Sequence, residues 1–231
     1  MNFENLDVKE YIAQLTYFDS YYGSKFRFGQ GTEELLECIN NFSKSGTLID
    51  FGSGSNIYFW LMAFNDIEKA TCVDISRESL FVNEQIRNKN IFPKSIEYPK
   101  NKYNKDYDLV LKTDVKYILK DLFNETFDSN AKYNNVSQFG LLGLSKNEEE
   151  YINNFEKLFN LLLDKGVFIG ANWVFSNTYS EKKGFSNNYL NKELINKISS
   201  KFKCKILACD LVPIKDDDNY DYVLVYALEK E

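Results

Sequence analysis

Glycine and acidic residues at the ends of two predicted strands have the types and spacing to bind a ligand. Gly52 and Gly54 stop the short apolar run 47–51, and glycine there lets the backbone approach a ligand closely. Asp74 ends the next apolar run, about 20 residues further on, where an acid can accept hydrogen bonds from both hydroxyls of a ribose. This arrangement suits a dinucleotide or an adenosyl ligand. The alternative is a structural turn with a solvent-exposed Asp74.

The residues after the glycine turn argue against a nicotinamide dinucleotide. The motif for that ligand carries a third glycine, and Ile57 stands in its place. An oxidoreductase built on the same type of sheet stays as an alternative, because one fold can serve several chemistries.

A second candidate group follows a predicted third strand at residues 109–111. Asp114 would then lie beside an adenine ring, where its carboxylate can accept a hydrogen bond from the exocyclic amine. The backbone N–H of Val115 would donate to the ring. When this segment is considered alone, a surface acid explains Asp114 equally simply.

Tyrosines before the sheet and after the glycine turn form a third group: Tyr17, Tyr21, Tyr22 and Tyr58. Electron-rich rings suit a positively charged ligand such as a sulfonium, and they shield a reaction from water. The alternative is core or surface packing, since 16% of the chain is aromatic.

The composition excludes several kinds of chemistry. The chain has no histidine, which removes Ser-His-Asp and Cys-His nucleophiles and histidine metal ligands. The four cysteines form no CxxC pair, so we expect buried thiols in a reducing cytosol and no zinc site. The acidic turn 216–218 is interpreted as a solvated turn and not as a calcium site, because it lacks further ligands at the required spacing.

Charge and hydropathy restrict the partners. The net charge of −6, without an evident basic patch, argues against a nucleic-acid substrate. The first residues show neither a basic region nor a long apolar run, so we expect no signal peptide. No apolar window approaches the roughly 18 residues of a membrane span. We therefore expect a cytoplasmic protein that does not bind membranes.

The order of predicted elements indicates an α/β chain that begins with a parallel βαβ unit. A final pair of strands joined near Pro213 reads as a hairpin, so the sheet is mixed at one edge. The predicted strands are 47–51, 70–74, 109–111, 135–141, 166–172, 205–212 and 222–228. The predicted helices are 9–18, 32–42 with Thr32 as N-cap, 57–64, 78–88 capped by Ser76, 148–163 and 190–202.

Together these segments resemble the nicotinamide, phenylethanolamine and thioether (indolethylamine) N-methyltransferase family. Residues 17–22 resemble its N-terminal tyrosine motif and residues 48–58 its donor-binding loop. Residues 73–76 and 111–115 resemble its ribose and adenine segments. The match to its acceptor side, at residues 166–179 and 184–186, is looser.

The resemblance implies one domain, 1–231, with residues 1–45 as a helical lid over the donor site. It implies a Rossmann-like class I methyltransferase fold: a seven-stranded, mostly parallel sheet with an antiparallel C-terminal hairpin strand and helices on both faces. Donor contacts would come from Tyr17, Tyr22, Gly52, Ser53, Gly54, Asn56, Tyr58, Asp74, Ser79, Asp114 and Val115. Acceptor contacts would come from Tyr17, Asn172, Ser176, Tyr179 and Ser186. Asn172 departs from the family, which tends to place an acid there.

The resulting hypothesis is a methyltransferase that uses S-adenosylmethionine, without a metal, to methylate a small molecule at nitrogen. Direct in-line transfer to a free lone pair requires alignment and no general base, which agrees with the missing histidine. The alternatives are a methyltransferase acting on oxygen, sulfur or carbon, and a non-catalytic partner protein that binds S-adenosylmethionine or S-adenosylhomocysteine.

Overall fold

In the computed structural model, residues 3, 6–125, 127 and 131–231 are described. They form one seven-stranded sheet in the order β3-β2-β1-β4-β5-β7-β6. Strands β1 to β5 are parallel, and β7 runs antiparallel to both β5 and β6. The strands are β1 (Gly46–Phe51), β2 (Ile67–Asp74), β3 (Asp114–Leu119), β4 (Tyr133–Phe139), β5 (Leu162–Phe175), β6 (Cys204–Pro213) and β7 (Tyr220–Lys230). This topology confirms the predicted fold class.

Helices cover both faces of the sheet. They are α1 (Val8–Phe18), α2 (Thr32–Phe42), α3 (Ile57–Leu61), α4 (Arg77–Lys89), α5 (Glu97–Tyr103), α6 (Tyr107–Leu111), α7 (Glu148–Phe159), α8 (Asn177–Lys183) and α9 (Lys192–Phe202). Successive side chains of a strand point to opposite faces, so Leu48 joins the core under α2, α3 and α4. Its neighbour Ile49 joins the second core under α7 and α9.

The predicted strand at residues 109–111 is wrong, because these residues belong to helix α6. The strand lies a few residues later, in β3, where Val115 is buried between exposed Asp114 and exposed Lys116. This alternation is the period-two pattern of a half-buried strand, whereas residues 109–111 only form a short apolar run. Asp114 therefore begins β3 instead of following its end.

Several other boundaries also differ from the prediction. Helix α3 ends at Leu61, and α7 ends at Phe159, so β5 starts at Leu162 and is longer than expected. Gly31, and not Thr32, is the N-cap of α2. The cap of α4 is as predicted, with the Ser76 side chain accepting from the Ser79 backbone.

The N-terminal segment packs on the sheet domain through α1 and α4. The Ser79 hydroxyl donates to Gln14 Oε1 at 2.7 Å, and the Asp7 backbone N–H donates to Glu78 Oε1 at 3.0 Å. A π-helical turn, Asp19–Gly23, follows α1 directly. Residues 1, 2, 4 and 5 of the predicted lid lie outside the described residues, and the lid itself stays a prediction.

No helix in the described part of the chain is long and apolar enough to cross a bilayer.

Candidate functional site

A cavity of about 240 Å³ opens at the edge of the sheet where the parallel strands end. The glycine turn after β1 forms its floor, and the ends of β4 and β5 form one wall. The turn after α1 and the start of β7 contribute aromatic rings above it. Ligands of open α/β sheets bind at this edge, so the cavity is the candidate site.

The glycine turn is fastened to the end of β2 by one carboxylate. The Gly54 N–H donates to Asp74 Oδ2 at 2.8 Å, and the Ser76 N–H donates to Asp74 Oδ1 at 2.8 Å. Gly52 and Gly54 have φ values of +67° and +57°, a region that side chains with a Cβ rarely adopt. Burial raises the pKa of the Asp74 carboxyl, and these backbone donors oppose that rise.

The side chain of Asn83 in α4 hydrogen-bonds to the backbone of the same glycine turn. Its Oδ1 accepts from the Ile57 N–H at 2.7 Å, and its Nδ2 donates to the Gly54 carbonyl at 2.7 Å. The side chain is fully buried. Sequence reasoning missed Asn83, because an asparagine in an amphipathic helix looks like part of the solvated face.

Asp50, the last but one residue of β1, lines the cavity as a second buried acid. The Ser137 hydroxyl donates to Asp50 Oδ1 at 2.6 Å, and the Ser53 hydroxyl donates to the Asp50 carbonyl at 2.8 Å. Burial raises the pKa of the Asp50 carboxyl to about 7, against the lowering effect of these hydroxyls. A cation bound in the cavity would favour the ionised carboxylate.

The predicted tyrosines divide into two groups. Tyr17 and Tyr22 line the cavity, and Tyr22 packs on Phe59 with the ring centroids 5.3 Å apart. Burial raises the pKa of Tyr17 to about 12 and that of Tyr22 further, so both phenols are neutral. Tyr58 is fully buried against Phe92 and does not line the cavity, so its donor contact stays a prediction.

Other predicted donor residues also lie outside the lining of the cavity, Asp74 included, although its carboxylate is bonded to Gly54 of that lining. The Ser79 hydroxyl is bonded to α1, and Asn56 caps α3 by accepting from the Phe59 N–H at 3.3 Å. Asp114 and Val115 contact a shallow depression elsewhere. Asp114 pairs with Lys69 at the start of β2, so it lies at the opposite edge of the sheet from Asp74, and the predicted adenine contact is wrong.

A different acid, Asp121, follows the end of β3, and sequence reasoning missed it. The Lys120 N–H donates to the Asp74 carbonyl at 2.9 Å, so Asp121 and Leu122 follow directly beside the end of β2. The alternating pattern of residues 114–118 was the signal for this strand, and Asp121 is the first acid after it.

The predicted acceptor residues, apart from Tyr17, do not reach the cavity. Asn172 is fully buried on the opposite face of β5, where its Nδ2 donates to the Tyr151 hydroxyl at 2.9 Å. Ser186 is exposed, and Ser176 donates its hydroxyl to the Asp218 carbonyl at 2.7 Å. Tyr179 packs against Tyr220, with ring centroids 5.4 Å apart, and so supports the cavity indirectly.

Trp173, the neighbour of Asn172, faces the cavity instead, because alternate residues of a strand face opposite sides. Two chain segments close the remaining wall: Gln30 Nε2 donates to the Lys215 carbonyl at 2.8 Å, and the Lys215 N–H donates to the Gly29 carbonyl at 3.1 Å. The further lining residues that sequence reasoning missed include Arg27, Trp60, Ser95, Phe139, Asp217 and Tyr220.

Among the described residues, no group of three or more Cys, Asp or Glu side chains is placed to hold a metal ion.

Comparison with known proteins relates this arrangement to one class of fold. No protein-family model matches the chain. No curated protein matches it either. Solved structures do match over nearly the whole chain. The N-methyltransferase NodS from Bradyrhizobium japonicum WM9, in complex with S-adenosyl-L-homocysteine, has a TM-score of 0.63 at 9% identity, covering 96% of this chain and 97% of that one.

Two further structures have the same fold. Magnesium protoporphyrin IX methyltransferase (ChlM) from Synechocystis PCC 6803, with bound S-adenosylhomocysteine, has a TM-score of 0.60 at 13% identity, covering 97% and 98% of the two chains. An S-adenosylmethionine-dependent methyltransferase from Clostridium acetobutylicum ATCC 824 has a TM-score of 0.57 at 13% identity, covering 95% and 98%. The chain therefore has the fold of class I S-adenosylmethionine-dependent methyltransferases.

We predict that Asn83→Ala destabilises the protein by about 2–3 kcal/mol, because it strands the buried N–H of Ile57 and the part-buried carbonyl of Gly54. Urea unfolding followed by circular dichroism measures the change. Asn88→Ala, on the exposed face of the same helix, is the matched control and should lie within about 0.5 kcal/mol of the wild type. Equal stability of the two variants would refute the bracing role of Asn83.

We also predict a pH dependence that Asp50→Asn removes. The folded pKa of about 7 exceeds the ordinary value of 3.8, so the folded protein binds the proton more tightly than the unfolded chain. The Asp50 contribution to stability is therefore present at low pH and is lost as pH rises from about 4 to about 7, by about 4 kcal/mol in total. Unfolding free energies measured across this window should fall for the wild type relative to Asp50→Asn. Parallel curves would mean that Asp50 is ionised in the folded protein.

Proposed function

We propose that this protein is a methyltransferase that uses S-adenosylmethionine to methylate a small molecule at nitrogen. The observation that carries the proposal is the bond from Gly54, on the floor of a cavity, to Asp74 at the end of β2, within the methyltransferase fold. This bond brings a glycine turn and a hydroxyl-binding acid together, as an adenosyl ligand requires.

The residues of the cavity fit the parts of this donor. Asp74 suits the ribose hydroxyls, and the buried Asp50 suits the ammonium group, since each carboxylate accepts hydrogen bonds. The segment 120–122, beside the end of β2, would lie along the adenine ring in place of Asp114. Gly54 supports the fit, because a Cβ built on it has no atom nearer than 4.0 Å and so points into open space.

When bound, the donor supplies an electrophilic methyl group on a sulfonium. The chain's own residues then have to orient the two reactants and exclude water. The rings of Tyr17 and Tyr22 are placed to cover the cavity, and π faces favour a nearby positive charge. Alignment alone can supply up to roughly 7–11 kcal/mol in favourable cases.

Nitrogen is favoured as the acceptor atom because Asp50, the buried acid of the cavity, is assigned to the ammonium group of the donor and the other lining groups are poor bases. The chain lacks histidine, and burial raises the pKa values of the cavity tyrosines Tyr17, Tyr22 and Tyr220. A pyridine or neutral amine nitrogen attacks with its own lone pair and needs no proton removed first. Trp60, Phe139 and Trp173 also line the cavity, which suits a small molecule with apolar surface.

Donor binding tests the first half of this proposal. We predict that Asp74→Ala weakens S-adenosylhomocysteine binding on the order of a hundredfold, about 2.7 kcal/mol, because the ribose hydroxyls lose a charged partner and the glycine turn loses its hydrogen bond to β2. Isothermal titration calorimetry measures the affinity. Asp114→Ala is the matched control, since this acid lies at the other edge of the sheet, and it should bind like the wild type. If Asp114→Ala is the weaker binder, our placement of the donor is wrong.

Methyl transfer tests the second half. Donor labelled on the methyl group should give labelled product with a panel of pyridines and neutral amines, and little with phenols and carboxylic acids. A rate that rises with pH through the pKa of an amine acceptor, and is flat for a pyridine, would support attack by a free lone pair. Donor binding without any labelled product would instead favour a non-catalytic partner protein.

A further inference from the structure

Two serine hydroxyls in the cavity wall have no hydrogen-bond partner. Ser55 and Ser95 are each only 2% exposed, and both line the cavity. Neither Oγ atom has a partner among the described residues. A buried hydroxyl without a partner destabilises a protein, so such groups in a binding cavity indicate that a ligand completes them.

The two serines come from separate parts of the chain. Ser55 follows Gly54 directly and precedes helix α3. Ser95 is the middle residue of a single 3₁₀ turn, Lys94–Ile96, which packs on the π-helical turn containing Tyr22. Because two independent segments bring their hydroxyls to one cavity, the pair does not follow from the geometry of either turn.

The charges around the cavity indicate which ligand group these hydroxyls meet. Asp50 lines the cavity, and the carboxylate of Asp74 is hydrogen-bonded to Gly54 of the cavity floor. Burial, and to a smaller extent the charge of Asp74, raises the pKa of the Asp50 carboxyl. The two acids repel an anion and suit the ammonium and ribose groups. An anionic ligand group is therefore best placed away from these acids, at the hydrogen-bond donors of the cavity wall. These are the Ser55 and Ser95 hydroxyls and Arg27, the basic residue among the described lining residues.

We propose that the hydroxyls of Ser55 and Ser95 bind the carboxylate at the amino-acid end of the methyl donor. This inference rests on the proposed function, since it concerns the amino-acid end of the same bound donor, which would lie between the glycine turn and the start of α3. Each hydroxyl donates a hydrogen bond to the carboxylate, and a bond to an ionised acceptor is stronger than one between neutral groups. The pair thus selects donors that keep their carboxylate.

The test compares two ligands that differ only in this group, S-adenosylmethionine and decarboxylated S-adenosylmethionine. We expect the wild type to prefer S-adenosylmethionine. In Ser95→Ala and in Ser55→Ala, affinity for S-adenosylmethionine should fall about tenfold, or about 1.4 kcal/mol, with affinity for the decarboxylated ligand unchanged. Titration calorimetry gives both affinities for each variant.

Ser145→Ala is the matched control. Ser145 is also fully buried with an unpartnered hydroxyl, but it does not line the cavity. It should leave both affinities at their wild-type values. Ser95→Thr, which keeps a hydroxyl, should retain the preference for S-adenosylmethionine, and thermal melting checks that every variant is folded.

The outcomes separate this inference from the proposed function. If the serine variants bind both ligands as the wild type does, or lose affinity for both equally, the carboxylate assignment is overturned and the donor site stands. If the folded wild type binds neither ligand, the proposed function fails, and the carboxylate site fails with it. A preference that disappears in the alanine variants and persists in Ser145→Ala supports the inference.

Discussion

One carboxylate, that of Asp74, joins the two loops on which the candidate site depends. Parallel neighbouring strands end at the same edge of a sheet, so the ends of β1 and β2 lie side by side and one short side chain can span them. Asp74 accepts from the Gly54 and Ser76 backbones on either side, and burial raises its pKa. The glycine turn therefore keeps its shape before any ligand arrives, which lowers the entropy lost on binding.

The sequence was most informative where a local pattern had a single physical meaning. The apolar runs before Gly52 and before Asp74 predicted β1 and β2 because glycine and acid interrupt them sharply. Ser76 identified the start of α4, since a serine side chain there accepts from the first helical turn. The order of strands and helices then restricted the topology, because a parallel crossover takes one hand.

The sequence was least informative where the outcome depends on which face a residue occupies. Residues 109–111 form an apolar run that fits either a strand or a helix, and mistaking it moved Asp114 to the wrong edge of the sheet. Asn172 and Trp173 differ by one position, and only the register of β5 decides which of them faces the cavity. Ser95 and Asn83 act through contacts with distant segments, which no local pattern predicts.

The wall of the cavity joins chain segments that are far apart in sequence. The bond from Gln30 to the Lys215 carbonyl spans 185 residues, and Gly29 accepts a further bond from the same lysine's backbone. During synthesis the N-terminal segment leaves the ribosome long before the β6–β7 hairpin exists. The binding cavity is therefore completed only after the whole sheet has been translated and paired, so a truncated nascent chain has no finished pocket in which to capture the ligand.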